Sequence, residues 1–341
     1  MYIPLHIYSH YSVLQGLNNP KEIIDKAKKE GFSSISLTDI NNCSGCIEFY
    51  KEAKKQNIKP IIGSVITTNE GSILLIALNN LGYIELLQIT AKLNSHKYQS
   101  ILPLDELSRF NLENIVCITG HEGSTLYNSL VYKFNFKTGW EDLSNINLAK
   151  LKFLFKNNLY IELQYSEYDN FSQEVKSKLI DLSKKYQIEL IACPRVYFLN
   201  KEDEELHQIL VSTKEKKSIS AINQINSRVY KFFHGYDFHL PIQEEFAARI
   251  NNKEAIKNTI KLADSVEDYN PNKNVGTGFV FEKFDSSSLM IALIRAFENF
   301  RDKKKWRELQ KRAMAKDFSW HSSAKKYVAL FLRAIEIHNR Y

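Results

Sequence analysis

The chain has 341 residues, of which 44% are hydrophobic, 12% aromatic and 25% charged, and its formal net charge is +7. This composition is typical of a folded globular protein and excludes collagen-like repeats, coiled coil and extended disorder. The positive charge suggests nucleic-acid binding, but it is unevenly distributed: residues 265–341 contain 15 basic and 9 acidic residues, whereas residues 1–264 are nearly neutral. Bulk charge therefore gives the first 264 residues no signature of a DNA-binding protein.

The sequence carries no signal for export or membrane insertion. No apolar run approaches the roughly 18 residues that a membrane-spanning helix needs, and no basic region followed by a hydrophobic stretch opens the chain. Four cysteines are too few for a secreted disulfide scaffold. We therefore expect a cytoplasmic protein with no membrane partner.

The first 200 residues alternate short β-rich runs with amphipathic stretches. Strands are predicted at 3–9, 33–38, 59–67, 72–77, 114–119, 159–164 and 189–193. Helices are predicted at 20–30, 45–56, 81–93 and 171–186, with Pro20 at the first position of the first helix. The repeated strand-then-helix order predicts parallel strands with helices outside, and seven strands favour an α/β barrel over an open sheet.

The second part of the chain is predominantly helical. Helices are predicted at 201–214, 242–250, 253–263, 288–300, 303–315 and 321–339, with a loop at 270–278 and a short strand at 279–284. We therefore predict a barrel over 1–200, its helical continuation over 201–264, and a separate C-terminal segment over 265–341.

Four motifs fall at the predicted strand ends, where α/β barrels carry their chemistry. They are HIYSHYSVLQG at 6–16, SLTDINNCSGCIEFYKEAKKQNIKPIIG at 36–63, ITGHEG at 118–123 and ACPRVYFLNKEDEELHQIL at 192–210. In order and spacing they resemble the PHP (polymerase and histidinol phosphatase) domain of bacterial C-family DNA polymerases, the polymerase III alpha subunits, over residues 1–264. The resemblance implies a distorted seven-stranded α/β barrel.

The resemblance also implies partners and limits. In these polymerases the PHP domain stiffens the enzyme and, in some, docks the proofreading exonuclease, which implies replisome proteins such as that subunit as partners. DNA is implied as a partner by the family alone. The carboxylates of the polymerase palm, which bind two metal ions, lie downstream of the PHP domain in the family. The resemblance therefore implies no polymerase activity in the matched segment.

Intact PHP domains resemble metal-dependent phosphoesterases that hold up to three ions on His, Asp, Glu and Cys side chains. His6, Asp39 and His121 match three of these ligand positions. Other residues stand where the family has ligands or line the same cleft, and these are Tyr8, His10, Ile40, Val65, Arg195 and Tyr197. Tyr8, Ile40 and Tyr197 replace histidines, Val65 replaces a glutamate, and Arg195 replaces an aspartate.

Three remaining ligands beside a guanidinium make a poor site for a cation, since such a site needs well-placed ligands with supporting contacts. We predict that His6, Asp39 and His121 line a relict cleft with no bound cofactor. The alternative is one divalent ion, zinc or manganese, on these three residues. That ion would allow a residual phosphoesterase or 3′–5′ exonuclease activity.

Two further sets of residues bear on the chemistry. Cys43 and Cys46 form a CSGC motif at a predicted helix start, but no second CxxC exists and the PHP-like block already accounts for the segment, so no redox role is predicted. The remaining histidines, His207 and His239 among them, are predicted to be surface or capping residues.

Residues 262–331 resemble a second family. The segments TGFVFEKF at 277–284 and DFSWHSSAKKYVALF at 317–331 are similar to the C-terminal end of bacterial glycogen (starch) synthases, GT-B glycosyltransferases that use ADP-glucose. The resemblance implies a short strand and terminal helices without the sugar-nucleotide site, and hence no glucosyl transfer. The junction falls near 261–264, and it is either a genuine gene fusion or an assembly error between unrelated genes.

Overall fold

A computed structural model describes residues 1–95, 98–135, 140–164, 170–216, 238–267 and, with gaps, 290–315. The chain divides into two compact units, Met1–Tyr269 and Asn270–Tyr341. None of the helices in the described ranges is both long and apolar enough to span a bilayer. The predicted loop at 270–278, strand at 279–284 and helix at 321–339 lie outside the described residues.

The first unit combines short strands with flanking helices. Its strands are β1 (His6–Ile7), β2 (Ser34–Leu37), β3 (Lys59–Thr68), β4 (Gly71–Ala77), β5 (Ile115–Thr119), β6 (Leu159–Leu163), β7 (Glu189–Ala192) and β8 (Arg195–Val196). Its helices are α1 (Pro20–Lys29), α2 (Cys46–Lys55), α3 (Asn80–Leu93), α4 (Thr125–Asn135), α5 (Trp140–Phe155), α6 (Asn170–Tyr186), α7 (Glu204–Glu215), α8 (Gln243–Ile250) and α9 (Lys253–Ser265). Short 3₁₀ turns occupy Leu104–Arg109 and Lys201–Asp203, and the second unit contains α10 (Lys303–Ala315).

All seven predicted strands are present, but the expectation of parallel pairing throughout is wrong. The main sheet has the order β2-β3-β4-β5-β6-β7, and β4 is antiparallel to both β3 and β5. The reason is the connection between β3 and β4, which is a two-residue turn at Asn69 and Glu70 and contains no helix. A parallel connection would need a crossover of a dozen residues or more.

Strand β1 lies between β8, which continues from β7, and the end of β2. Strand β1 pairs in parallel with β8, which follows β7 after only Cys193 and Pro194. On its other side, the backbone amide of Thr38 donates to the carbonyl of Ile7 at 2.8 Å, directly after β2. The strands therefore follow one another around a distorted barrel, as the α/β fold class predicted.

Both faces of the sheet are buried, as expected for strands covered by helices. Side chains alternate along each strand between an outer cluster shared with the helices and an inner cluster that fills the barrel. The inner cluster includes Ile61, Val65, Leu74, Ile76, Val116, Ile118, Tyr160 and Ile191. A polar residue that takes an inner position must therefore find its partners inside the barrel.

Local signals explain how the helices begin. Asn19 caps α1 by accepting from the amide of Glu22, the Glu22 side chain accepts from the Asn19 amide, and Pro20 occupies the first turn as predicted. Helix α9 is attached to the barrel by Asn258, whose side-chain amide donates to the Leu190 carbonyl at 2.8 Å. Helices α7, α8 and α9 thus belong to the first unit.

Candidate metal centre

His6 lies on β1 and connects two buried partners inside the barrel. Its Nε2 atom is 2.6 Å from the hydroxyl of Tyr8, and its Nδ1 atom is 3.1 Å from Oε1 of Glu162. Burial raises the pKa of Tyr8, so the phenol keeps its proton. Both ring nitrogens of His6 thus have a partner, and the donor in each bond depends on the tautomer of His6.

His121 follows β5, and a tight turn brings it to the same carboxylate. Gly120 adopts φ +112°, a conformation that L side chains rarely adopt, and a Cβ atom there would lie 2.8 Å from the Glu162 carbonyl oxygen. The Nδ1 atom of His121 lies 3.5 Å from Oε2 of Glu162, and its Nε2 atom lies 2.9 Å from Oγ of Ser72. Burial lowers the pKa of His121 to about 4, so this imidazole is neutral at pH 7.

Glu162 is the centre of the cluster and was not among the predicted site residues. It lies on β6 in the segment LYIEL, two residues after the inward-facing Tyr160. Burial alone would raise the pKa of Glu162, but His6 and His121 hold it well below its ordinary value. A single acidic residue at an inward-facing position of an apolar strand is the signal that could have identified it.

His6, His121 and Glu162 form a group that could hold a metal ion. One ligand atom from each lies within 4.8 Å of the others, and all three side chains are buried. Nδ1 of His121 is a buried atom without a hydrogen-bond partner in the described part of the chain, which an ion between it and Glu162 would satisfy. Two of the three predicted ligands are therefore brought together, with Glu162 as the third member.

Asp39, the other predicted ligand, is not a member of that group. Its carboxylate accepts from the amide and hydroxyl of Ser9, both at 2.7 Å, and from the hydroxyl of Ser12 at 2.6 Å. These bonds tie the chain after β1 to the end of β2. In this arrangement Asp39 stabilises a loop, and its predicted role as a metal ligand stays a prediction.

Arg195, Tyr197 and Tyr8 contact one another beside the cluster. The guanidinium of Arg195 donates to the Glu122 carbonyl at 2.8 Å and to the Glu122 carboxylate at 3.3 Å. It lies 5.3 Å from the ring centroid of Tyr197, whose ring is 4.6 Å from that of Tyr8. A permanent positive charge thus stands beside an aromatic pair.

The other predicted cleft residues offer no ligand atoms to this group. Ile40 and Val65 pair through an isolated parallel bridge, and their side chains are apolar. His10 is exposed, and its ring lies 4.4 Å from that of Tyr11. His10 therefore does not complete the cluster in this structure.

The donor set fits one ion and does not fit a centre of several ions. Two imidazoles and one carboxylate are a ligand combination that zinc accepts. Glu162 is the one carboxylate of the group and Arg195 is a nearby cation that lowers the pKa of His121, so each further ion would add uncompensated positive charge to a buried space. A single ion held by His6, His121 and Glu162 would cross-link β1, β5 and β6.

Comparison with known proteins relates most of the chain to one kind of protein. Residues 4–166 match the PHP domain. DNA polymerase III subunit alpha of Borreliella burgdorferi is 30% identical over 286 residues, which cover 79% of this chain and 24% of that protein. The corresponding protein of Aquifex aeolicus is 25% identical over 319 residues, covering 85% and 25%. The chain thus spans about a quarter of the length of these relatives.

The chain has two further similarities, one in the sequence of a short segment and one to a solved structure. Glycogen synthase of Trichodesmium erythraeum is 40% identical over 90 residues, which cover 26% of this chain and 20% of that protein. Among solved structures, a two-domain protein from Bacteroides vulgatus described as containing a predicted PHP-like metal-dependent phosphoesterase has 16% identity and a TM-score of 0.39, covering 58% of this chain and 52% of that one.

The remaining cysteines and histidines that the sequence singled out and the structure describes lie outside the cluster. Cys43 and Cys46 are free thiols, and α2 begins at Cys46. The prediction of surface or capping positions is wrong for His207 and His239, which are both buried. His207 contacts aromatic residues that follow β8, because α7 turns its inner face toward them. Three other histidines, His96, His234 and His338, lie outside the described residues.

Proposed function

We propose that the chain acts as a non-catalytic PHP module of a protein related to the DNA polymerase III alpha subunit. In this role it contributes a folded scaffold and protein contacts, and it does not hydrolyse phosphoesters. The observation that carries the proposal is the bonding of His6: Tyr8 occupies one ring nitrogen at 2.6 Å and Glu162 occupies the other at 3.1 Å.

A metal-dependent phosphoesterase needs an ion with an open position for the attacking water and access for the substrate. Here the side chains around the cluster are closed to solvent. Glu162 has no exposed surface, Tyr8 is 3% exposed, and Arg195, the most exposed of the three, reaches only 8%. Among the described residues, this burial supports a site without ready access for a substrate.

The partners proposed for the module come from its relatives. Polymerase III alpha subunits match most of this chain, which supports a replisome protein, such as a proofreading exonuclease subunit, as the binding partner. The glycogen synthase similarity supports the proposal that the C-terminal segment is a fused fragment without glucosyltransferase activity.

A second candidate function is a phosphoesterase or 3′–5′ exonuclease that uses one zinc or manganese ion. It is favoured by the convergence of His6, His121 and Glu162 and by the unbonded Nδ1 atom of His121. In that case the ion would polarise a phosphoryl oxygen or activate water, and the three side chains would only hold it in place.

A hydrolysis assay with the full chain separates the two candidates. Bis-(p-nitrophenyl) phosphate and a 3′-labelled oligonucleotide are incubated with added Mn²⁺ or Zn²⁺, using the wild type, Glu162→Gln and Glu189→Gln. Glu189 is a half-exposed residue on the neighbouring strand β7 and serves as the matched control.

The proposal predicts the same background rate for all three proteins. Metal-dependent hydrolysis that Glu162→Gln abolishes and Glu189→Gln retains would establish the second candidate and overturn the first. Co-purification with the exonuclease subunit of the same replisome is the positive test of the module's role, and the proposal predicts a stable complex.

A further inference from the structure

Helix α10 in the second unit carries an unusual density of positive charge. Its 13 residues, KKKWRELQKRAMA, contain six Lys and Arg residues and one Glu. These charges supply most of the positive excess of the C-terminal segment, and they lie outside the unit that contains the candidate metal centre. The proposed function of the first unit does not use them.

The exposed side of α10 is basic. Among the residues of α10 whose side chains the structure describes, the exposed ones are Lys303, Arg307, Gln310, Lys311 and Met314, and the half-buried ones are Trp306 and Leu309. The described basic residues are all exposed, whereas Trp306 and Leu309 are half-buried. Charge is therefore presented to solvent, while the apolar residues are partly covered.

Lys303, Arg307 and Lys311 follow one another at intervals of four residues, and we call them the basic stripe. Residues four apart lie on the same face of an α-helix, about 6 Å apart along its axis. The stripe thus presents three charges in a row over about 12 Å.

The contacts of the stripe show what could bind there. The Lys303 ammonium lies 3.2 Å from the ring centroid of Phe300, which is 45% exposed, and the Phe300 ring contacts Trp306 edge-on at 5.2 Å. Basic side chains beside an exposed aromatic ring are the combination that tracks a phosphate backbone and stacks on a base.

An acidic membrane surface is the other polyanion that a basic helix can meet. A helix that lies in a membrane interface needs a broad apolar face to insert. On α10 itself the apolar Trp306 and Leu309 are half-buried, and Met314 is the one exposed apolar side chain among the described residues of that helix. The residues before α10 also expose apolar side chains, namely Met290, Leu293, Phe297 and Phe300. The choice of a nucleic acid therefore rests on the basic stripe and on the Phe300 ring beside Lys303, and vesicles are a required arm of the test.

We propose that the basic stripe of α10 binds the phosphate backbone of a nucleic acid without sequence specificity. The stripe provides electrostatic affinity through release of counterions from the phosphates. This binding site is independent of the PHP cleft and of the function proposed for it.

The test measures binding of the full chain to fluorescently labelled oligonucleotides of mixed sequence over a series of salt concentrations. Single-stranded DNA, duplex DNA and single-stranded RNA of the same sequence distinguish the sources of phosphate backbone, and vesicles of phosphatidylserine and phosphatidylcholine test the lipid surface. The variant combines Lys303→Gln, Arg307→Gln and Lys311→Gln. The control combines Lys28→Gln, Lys29→Gln and Lys51→Gln, which removes three exposed charges from the first unit.

The proposal predicts that the wild type binds at least one of the three nucleic acids and that the stripe variant binds it about tenfold or more weakly. The slope of log K against log salt should fall in magnitude by about 2 to 3 units in that variant, because each phosphate that the protein no longer neutralises lowers it by close to one unit. The control variant should keep the wild-type affinity and slope. No binding by the wild type, equal losses in both variants, or binding to vesicles without binding to any oligonucleotide would each overturn the proposal.

Discussion

At the scale of single residues, Tyr8 and Glu162 hold His6 between them. The Tyr8 hydroxyl bonds Nε2 of His6 at 2.6 Å and the Glu162 carboxylate bonds Nδ1 at 3.1 Å, so each ring nitrogen already has a partner. The rings of His6 and Tyr8 also contact edge-on at 5.2 Å between ring centroids. Tyr8, His6 and Glu162 therefore form one bonded network.

Removing the Tyr8 hydroxyl tests this network. Tyr8→Phe leaves Nε2 of His6 buried without its hydrogen-bond partner, and we expect the free energy of unfolding to fall by about 2 kcal/mol. Tyr11→Phe is the control, because the Tyr11 hydroxyl bonds Glu48 at an exposed position, and little change is expected there. Urea denaturation of both variants measures the difference, and equal small effects would contradict a role for Tyr8 in the network.

His207, which is not a member of the candidate metal centre, gives the fold a dependence on pH. Burial lowers the pKa of His207 from its ordinary value of 6.5 to about 4. Below pH 6.5 the unfolded chain therefore binds a proton that the folded chain does not bind, and stability falls as the pH decreases toward 4. This group alone accounts for a loss of roughly 3 kcal/mol over that window.

The measurement is the free energy of unfolding of the wild type and His207→Phe at several pH values between 7 and 4. The variant removes the titrating group, so its stability should depend less steeply on pH than that of the wild type, whatever its stability at pH 7. His121 contributes a similar dependence on pH, so the stability of His207→Phe should still fall as the pH decreases, but less steeply. Identical slopes in the two proteins would show that His207 is not buried as a neutral imidazole.

At the scale of secondary-structure elements, the strand positions follow from the sequence and the cluster does not. Alternating apolar residues bounded by turns predicted all seven strands. The antiparallel direction of β4 does not follow from the general strand-then-helix order, because β3 and β4 are joined by a two-residue turn without a helix. The role of Glu162 does not follow from the motifs, because it depends on which face of β6 points into the barrel.

The turn after β5 is the element on which the position of His121 depends. In Gly120→Ala the new Cβ atom would lie 2.8 Å from the Glu162 carbonyl oxygen at a positive φ, and we expect a destabilisation of about 2 kcal/mol or more. Gly123→Ala in the same turn has a positive φ but no atom within 4 Å of the added Cβ, so we expect a smaller loss of about 1 kcal/mol.

Thermal unfolding of both variants separates steric clash from backbone strain. A loss in Gly120→Ala that does not exceed the loss in Gly123→Ala would show that the close approach of β5 and β6 is not essential to the fold.

At the scale of the whole molecule, charge and chemistry are divided between the two units. The first unit is nearly neutral and contains the cluster of His6, His121 and Glu162. The second contains the basic helix α10. The positive net charge of the whole sequence therefore cannot be used to infer the chemistry of the cluster. The PHP similarity likewise cannot be used to infer the nucleic-acid site proposed on α10.

The proposed function depends above all on a cleft that does not hold the several ions of a catalytic PHP centre. The deciding measurement is the number of metal ions bound by the full chain. The protein is titrated with Zn²⁺ or Mn²⁺, free ions are removed, and the metal content is measured by mass spectrometry. We predict no more than one ion per chain, and none at this site in Glu162→Gln. Two or three ions per wild-type chain, lost together when His6 or His121 is replaced by alanine, would contradict the proposed function.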